Sequence, residues 1–590
     1  MSVSSGCCNG FPGFSERLAR LTLAWALLAT LALLGAGIDT ARAATSANAQ
    51  SPLAVNLAPI NYWTSEMPFI NLFAMSAWTT HTTMTWDTKE EQYLDLDANG
   101  WPKSLTAVND PKPQQFTSVG VLLTRTASTV NGYYPAGKYV VLYAGQGTID
   151  YGFDAKVVSR SAGRDVFVVT NPSSAGIDLR ITATDPNHTG NYLRNIQVVN
   201  AENETAAKAG QIFNPTFLSA IARFRALRFK DWLAMDTMAP TALTSWSDRP
   251  LPTYAFWDMP NGVPIEITVD LANAVSADPW LNVPVGADDN YITQMATLVH
   301  SMLGPTQKAY IELSNEVWNA VYQQYNYALT QGKALWPTAG QDWNANWYGM
   351  RTAQMCDLWK SAWGSDASRV VCVMGAQAAG TVIDRLQCTY WSGGPCYKHG
   401  IGAVAIAPYF GFAVPSGWTS QADGGLNLLF QSLTTQNDAS IAAGGELAQA
   451  SRWEASYIKA LAPYKLPLIA YEGGQSYCCG ATAAQNSVYI AANRDPRMGA
   501  AYTTYLQQWK ANGGQLMALY NDISAPGPFG SWGALESLMQ TTSPLTAAPP
   551  KWQAIQNFIA SDPCWWAGCT GAIGSTTAVV PMPATSVSAH

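Results

Sequence analysis

Apolar and polar positions along this chain change their period several times, and those changes divide it. Residues 53–60 form one strand-like apolar run, followed by Asn61-Tyr62-Trp63. From about Tyr93 to Thr205 short β-rich runs alternate with Gly, Asn and Pro turns; the clearest are 119–125, 138–144, 164–170 and 177–184. Such spacing predicts a β-sandwich. Beyond Thr205 the pattern alternates between short apolar runs and segments of helical period. Helices are expected over 215–224, 288–303, 344–363, 447–461, 496–510 and 551–559. Strands are expected over 227–231, 264–270, 309–315, 370–374, 403–407, 467–472 and 516–520. With the run at 53 the strand candidates number eight, each followed by helical sequence. The fold class this predicts is α/β: a parallel (β/α)8 barrel, the TIM-barrel architecture, with the β-sandwich inserted after its first strand. The expected organisation is a leader over 1–43, the first strand and its loop over 44–92, the sandwich over 93–205, the rest of the barrel over 206–570 and a Ser/Thr/Ala/Pro-rich tail over 571–590.

The leader has the features of a secretory signal. Arg17 and Arg20 precede an apolar stretch over 21–37, and Ala41-Arg42-Ala43 offers a small-residue cleavage site. The chain is expected to be secreted or periplasmic, with no membrane association once the signal is removed. Ten cysteines fall to eight without Cys7 and Cys8, an even number that suits disulfides in an exported protein. Cys388–Cys396 and Cys564–Cys569 are plausible local pairs, and spacing leaves the full connectivity open. Charged residues make up 12% of the chain, with net charge −7 and no basic run, which argues against nucleic acid as a partner. Low charge with 23 Trp and 26 Tyr suits neutral, flat ligands such as sugars.

The candidate chemistry sits at strand ends. Ala309-Tyr310-Ile311-Glu312-Leu313-Ser314-Asn315-Glu316 is an apolar run that delivers an Asn-Glu pair, followed by Val317-Trp318-Asn319. Pro467-Leu468-Ile469-Ala470-Tyr471-Glu472 is a second short run ending in a carboxylate. In a parallel barrel both ends lie on one face, where βα loops build the active site. Two carboxyl groups facing one cleft are what glycosidic bond cleavage needs, one as acid/base and one as nucleophile, about 5–5.5 Å apart in the retaining case. Their environments must then separate their pKa values. Trp63, Trp232, Trp257, Trp280 and Trp318 are candidate sugar platforms, and Asp231 and Asp270 candidate contacts at strand ends. Each has a plainer reading as a core or ion-pair residue. The five histidines are scattered and none stands beside a metal-binding cysteine pattern.

An Asn-Glu pair closing the fourth strand with a Glu closing the seventh resembles the clan A retaining glycoside hydrolases. The resemblance spans the barrel and not the sandwich. It implies that Glu316 is the general acid/base, Glu472 the nucleophile, and Asn315 a contact for the sugar 2-hydroxyl. Arg228, closing the second strand, matches an arginine that keeps the nucleophile ionised. Tyr409, after the sixth, resembles a tyrosine that contacts the nucleophile. Trp532, after the eighth, resembles a tryptophan that floors the sugar subsite. The implied activity is cleavage of β-glycosidic bonds in a poly- or oligosaccharide by double displacement, with no cofactor and no metal. Two departures stand out: histidines common in the clan after the third and sixth strands are missing, and the insertion after the first strand is long. The alternative is a barrel that binds carbohydrate without turning it over.

Overall fold

The computed structural model describes residues 46–569, apart from 112–114, 131, 259, 413, 480 and 542–548. The expected leader and tail lie outside the described residues. Strand β1 (Leu53–Asn56) opens the fold. Eight strands follow before the chain returns to it: β2 (Thr79–His81), β3 (Ser118–Leu123), β4 (Gly137–Ala144), β5 (Gly147–Phe153), β6 (Ala155–Ser161), β7 (Arg164–Val169), β8 (Ile177–Thr184) and β9 (Arg194–Asn200). They make two four-stranded antiparallel sheets, ordered β2-β3-β8-β5 and β6-β7-β4-β9. Alternation explains their packing: Val119, Val121, Leu179 and Ile181 from one sheet, and Tyr139, Val141, Phe167 and Val198 from the other, all enter one apolar core.

The remaining strands are β10 (Ala226–Arg228), β11 (Asp278–Val283), β12 (Ala309–Leu313), β13 (Val370–Gly375), β14 (Ile401–Ile406), β15 (Leu468–Ala470) and β16 (Met517–Leu519). With β1 they close a parallel eight-stranded barrel, β16 pairing back onto β1. Helices connect consecutive strands, including Asp289–Met302, Trp343–Trp363, Glu446–Leu461 and Pro496–Asn512. Their starts carry recognisable signals. Asp288 accepts from the Tyr291 N–H, and Asp495 caps the helix that begins at Pro496.

The barrel interior follows from the two-residue period of a strand. Ala54, Ala226, Trp280, Tyr310, Val373, Ala405 and Ile469 point inward as one cluster, while Leu53, Leu227, Leu281, Ile311, Cys372 and Leu468 face the helices. One step further along, the inward positions turn polar. Asn56 stands beside Arg228, and Asn282 beside Glu312. The barrel is therefore closed by apolar layers below and a charged layer at its carboxyl-terminal mouth.

One strand expectation is corrected. Residues 265–270 are helical, in Ile265–Ala274 with Pro264 at its N-cap, and the third barrel strand is β11. Ile265, Ile267, Val269 and Leu271 alternate as strand residues would, but Thr268 and Ala272 are buried as well, because the helix is enclosed on most sides. β11 was masked by Pro279, a residue ordinarily excluded from central strands, and by Asp278 and Asn282, whose polar side chains lie inside the barrel rather than on a solvent face. Asp270 thus lies in a helix and not at a strand end.

Four disulfides join the described cysteines: Cys356–Cys372, Cys388–Cys396, Cys478–Cys479 and Cys564–Cys569. The two local pairs expected from spacing are among them. Cys356–Cys372 ties the helix Trp343–Trp363 to β13, closing a loop of sequence separation 16. Replacing both cysteines by alanine is expected to lower the unfolding free energy by about 2–4 kcal/mol, measured by urea titration with the other disulfides intact. An unchanged midpoint would show that packing alone fixes that helix.

Candidate active site

At the mouth of the barrel the chain turns sharply out of β12. Ser314 and Glu316 both adopt positive φ, 56° and 41°, a left-handed conformation that costs a non-glycine residue on the order of 1 kcal/mol or more. The turn sends neighbouring side chains to different places. Asn315 is buried against the guanidinium of Arg228, whereas Glu316 is only part-buried.

Arg228 is the hub. Its Nε and Nη2 donate to Glu312 Oε2 (3.1 and 2.9 Å), Nη2 also to Asn315 Oδ1 (2.8 Å), and Nη1 to Asn56 Oδ1 and Glu472 Oε1 (2.9 Å each). The side chain is fully buried, and the rings of Trp280 and Tyr471 flank the guanidinium at 5.6 and 5.1 Å. Glu312 Oε2 receives further hydrogen bonds from Trp280 Nε1 and Asn282 Nδ2. Burial pushes the Glu312 carboxyl up, and Arg228 opposes that shift.

Glu472 follows β15. Its second oxygen, Oε2, accepts from the Tyr409 hydroxyl at 2.9 Å, and the Lys230 ammonium stands 3.8 Å from Oε1. Glu316 is held differently. Tyr471 donates its hydroxyl to Oε1 (3.0 Å) and Asn319 its amide to Oε2 (2.8 Å), but no cation pairs with it among the described residues. Burial first, and the negative charge of Glu472 second, push the Glu316 carboxyl up to about 7. The two carboxyls are thus chemically distinct: one is bound by a guanidinium and a phenol, the other faces its neighbour's charge without a counter-ion.

A second charged group lies alongside. Lys230 Nζ donates to Asp231 (2.8 Å) and Asp236 (3.0 Å) and sits over the Tyr520 ring at 5.0 Å. Burial alone would lower this ammonium, but Asp231 and Asp236 outweigh it and hold Lys230 well above its ordinary value. Asp236 in turn accepts from Asn315 Nδ2 at 2.7 Å and from Gln324. The amide of Asn315 is thereby fixed at both ends, its oxygen by Arg228 and its nitrogen by Asp236.

The structure brings Glu316, Glu472, Asn315, Arg228 and Tyr409 into one hydrogen-bonded group. Trp532 joins at its edge: its ring meets Tyr520 at 5.5 Å, edge-on, and Tyr520 lies beneath Lys230. Trp63 and Trp318 make no hydrogen bond or ring contact with this group among the described residues. Trp63 is 52% exposed, edge-on to Tyr62, and Trp318 is part-buried on the turn after Glu316. Trp280 and Trp232 are not sugar platforms. Trp280 is sealed inside the barrel as a donor to Glu312, and Trp232 is core against Phe69 and Phe229. Trp257 also packs edge-on to Phe69. Asp231 is an ion-pair partner of Lys230. Sequence reading passed over Glu312, Lys230, Asp236 and Tyr471. Two had a signal: Lys230 is two residues after Arg228, and Glu312 is the lone charge in an apolar strand. Among the described residues no group of three or more His, Cys, Asp or Glu side chains is arranged to hold a metal ion.

No family model matches this chain, and no curated protein does. Solved structures similar to it include a GH51 arabinofuranosidase from Xanthomonas axonopodis pv. citri, 12% identical, covering 64% of this chain and 68% of that one with TM-score 0.32. A family 5 xyloglucanase from Paenibacillus pabuli is 12% identical, covering 59% of this chain and 90% of its own with TM-score 0.34. An endo-1,4-beta-xylanase from Penicillium canescens is 12% identical, covering 60% and 90% with TM-score 0.32. The barrel itself is established by the strand pairing of this chain.

The hub makes a stability prediction. Arg228→Met should lower the unfolding free energy by about 3–5 kcal/mol, because it strands two buried carboxylates without their shared cation. Urea titration at neutral pH measures this. A loss no greater than that of a surface arginine such as Arg452→Met would show that the hub does not hold the mouth of the barrel together.

Proposed function

We propose that this protein is an exported retaining glycoside hydrolase that cleaves β-linked poly- or oligosaccharide, with Glu316 as acid/base and Glu472 as nucleophile. The observation that carries the reading is the asymmetry of the two carboxyls: Glu316 is raised to about 7 by burial and by Glu472, while Glu472 lies on Arg228 and Tyr409. A protonated acid beside an ionised carboxylate is the requirement of double displacement. Four disulfides support passage through an oxidising compartment. No helix of the described residues is long and apolar enough to cross a membrane.

In the first step Glu472 attacks the anomeric carbon. The bond to the departing sugar breaks, and Glu316 delivers its proton to the leaving oxygen. The product is an ester between Glu472 and the glycone. Esterification removes the negative charge of Glu472, and with it one of the two causes that raise Glu316. Glu316 therefore gives up its proton more readily in the second half of the cycle. As a carboxylate it takes a proton from water, whose oxygen attacks the anomeric carbon and releases Glu472. In this reading Asn315 donates to the 2-hydroxyl of the same sugar, and its hydrogen bonds with Arg228 and Asp236 support that role by fixing the amide's orientation.

Glu316→Gln and Glu472→Gln are each expected to cut kcat on an activated aryl glycoside by at least about two orders of magnitude, the scale of a lost proton-transfer or nucleophilic group. With Glu472→Gly and an aryl glycoside, azide should restore part of the rate and yield a glycosyl azide, since a small anion can occupy the nucleophile's place. Full activity in either glutamine variant rules the assignment out, and so does a wild-type protein that binds polysaccharides but releases no new reducing ends.

The pH profile follows from the sign of the shift. Glu316 must be protonated to act first, so kcat/KM should fall as pH rises through about 7. The Glu316→Gln variant, assayed on a substrate with a good leaving group, should lose that alkaline limb. A limb that persists in the variant belongs to some other group.

A further inference from the structure

The loop after β16 doubles back on itself. Gly527 and Gly530 exchange backbone hydrogen bonds of 2.9 and 3.1 Å, making a tight hairpin with Pro528 and Phe529 at its tip. The ring of Phe529 is 82% exposed. A single exposed aromatic ring means little on an ordinary surface. Here the backbone that carries it is pinned from several sides, and that changes its meaning.

Lys551, on the last helix, is buried and donates to the carbonyls of Ser531 and Trp532 at 2.9 Å each. Burial pushes this ammonium down to about 7, and the charge of Glu536 opposes that shift. Gln475, three residues after Glu472, donates its side-chain amide to the same Ser531 carbonyl. Thr129, from the sandwich, donates to the carbonyl of Pro526 at 2.7 Å. Cys478, half of the Cys478–Cys479 disulfide, pairs with Gly530 through the backbone. Gly530 lies so close to the Trp532 ring that an added Cβ would stand 2.5 Å from it. A lysine, a glutamine, a threonine and a disulfide-bonded cysteine thus fix a turn whose most prominent feature is a phenyl ring in solvent.

A chain of contacts also links the hairpin to Glu472. From Glu472 the line runs to Lys230 at 3.8 Å, to the Tyr520 ring beneath Lys230, to Trp532 against Tyr520, and through Gly530 to Phe529. The segment at 526–532 carries no charged side chain: Pro, Gly, Pro, Phe, Gly, Ser and Trp. We propose that this hairpin is an accessory sugar subsite, with Phe529 stacking on the C–H face of a neutral pyranose unit remote from the bond being cleaved. The inference rests on the carbohydrate-binding cleft proposed above, and does not require turnover. An aromatic ring presented on a rigid turn loses little conformational entropy when a sugar stacks on it, which is why anchoring and exposure belong together.

The test is calorimetric titration in the Glu316→Gln background, with and without Phe529→Ala. The probes are the disaccharides and hexasaccharides of the cello, xylo and manno series. For the hexasaccharide that binds, Phe529→Ala should raise Kd about three- to tenfold, the scale of one aromatic contact. The Kd for the matching disaccharide should not change, and Phe529→Tyr should keep the affinity for the hexasaccharide. Equal weakening at both lengths, no weakening at either, or no binding of any probe overturns the proposal. Absence of hydrolysis by the wild-type protein counts against the proposed function alone, because the titration reads binding and not turnover.

Discussion

Everything at the mouth of the barrel depends on one buried positive charge. Arg228 holds β10 to β1 through Asn56, to β12 through Glu312 and Asn315, and to the segment after β15 through Glu472. A buried guanidinium is tolerable only if its donors are met and its charge is balanced. Glu312 supplies the permanent balance from within the barrel, sealed under Trp280 and Asn282. Glu472 supplies the second balance at the surface of the cleft. The arrangement makes stability and chemistry share one residue: the group that neutralises Arg228 on its open side is the one proposed to attack substrate.

The same economy sets the difference between the two glutamates. Glu316 and Glu472 are the same functional group at equivalent strand ends, and nothing in their identity distinguishes them. Arg228, Tyr409 and Lys230 gather on one, while the other is buried with no cation paired to it among the described residues. The charge of the first then becomes a cause of the proton on the second. Asn315 links the two halves, since its amide oxygen rests on Arg228 and its amide nitrogen on Asp236, which is held in turn by Lys230. The polar layer is therefore one connected network in which moving a single side chain disturbs the rest.

Much of the architecture was legible in the pattern of apolar residues, because a strand buried on both faces and a helix with one apolar face leave different periods. Seven of the eight barrel strands fell close to their predicted places. The exception shows the limit of periodicity. A helix enclosed on most sides can alternate like a strand, as at Ile265, Ile267 and Val269, and a strand lining a polar interior can look like a loop, as at Asp278, Pro279 and Asn282. The site was legible where a carboxylate closed an apolar run. It was hidden where the decisive contact came from across the fold, as with Glu312 beneath Arg228 or Lys551 beneath Trp532.

By itself the sequence determined that the chain alternates β and α, that a β-rich segment interrupts it after the first strand, and that Glu316 and Glu472 close two apolar runs. Those are consequences of local period and of residue type, which neighbours along the chain decide. Only the tertiary structure decided which carboxyl is poised to hold a proton near neutrality, which tryptophans are core, and which ring is left in solvent on a pinned turn. Those outcomes depend on burial and on the charges of residues hundreds of positions away. A pKa or an exposure is a property of an environment, and the environment exists only once the strands have closed.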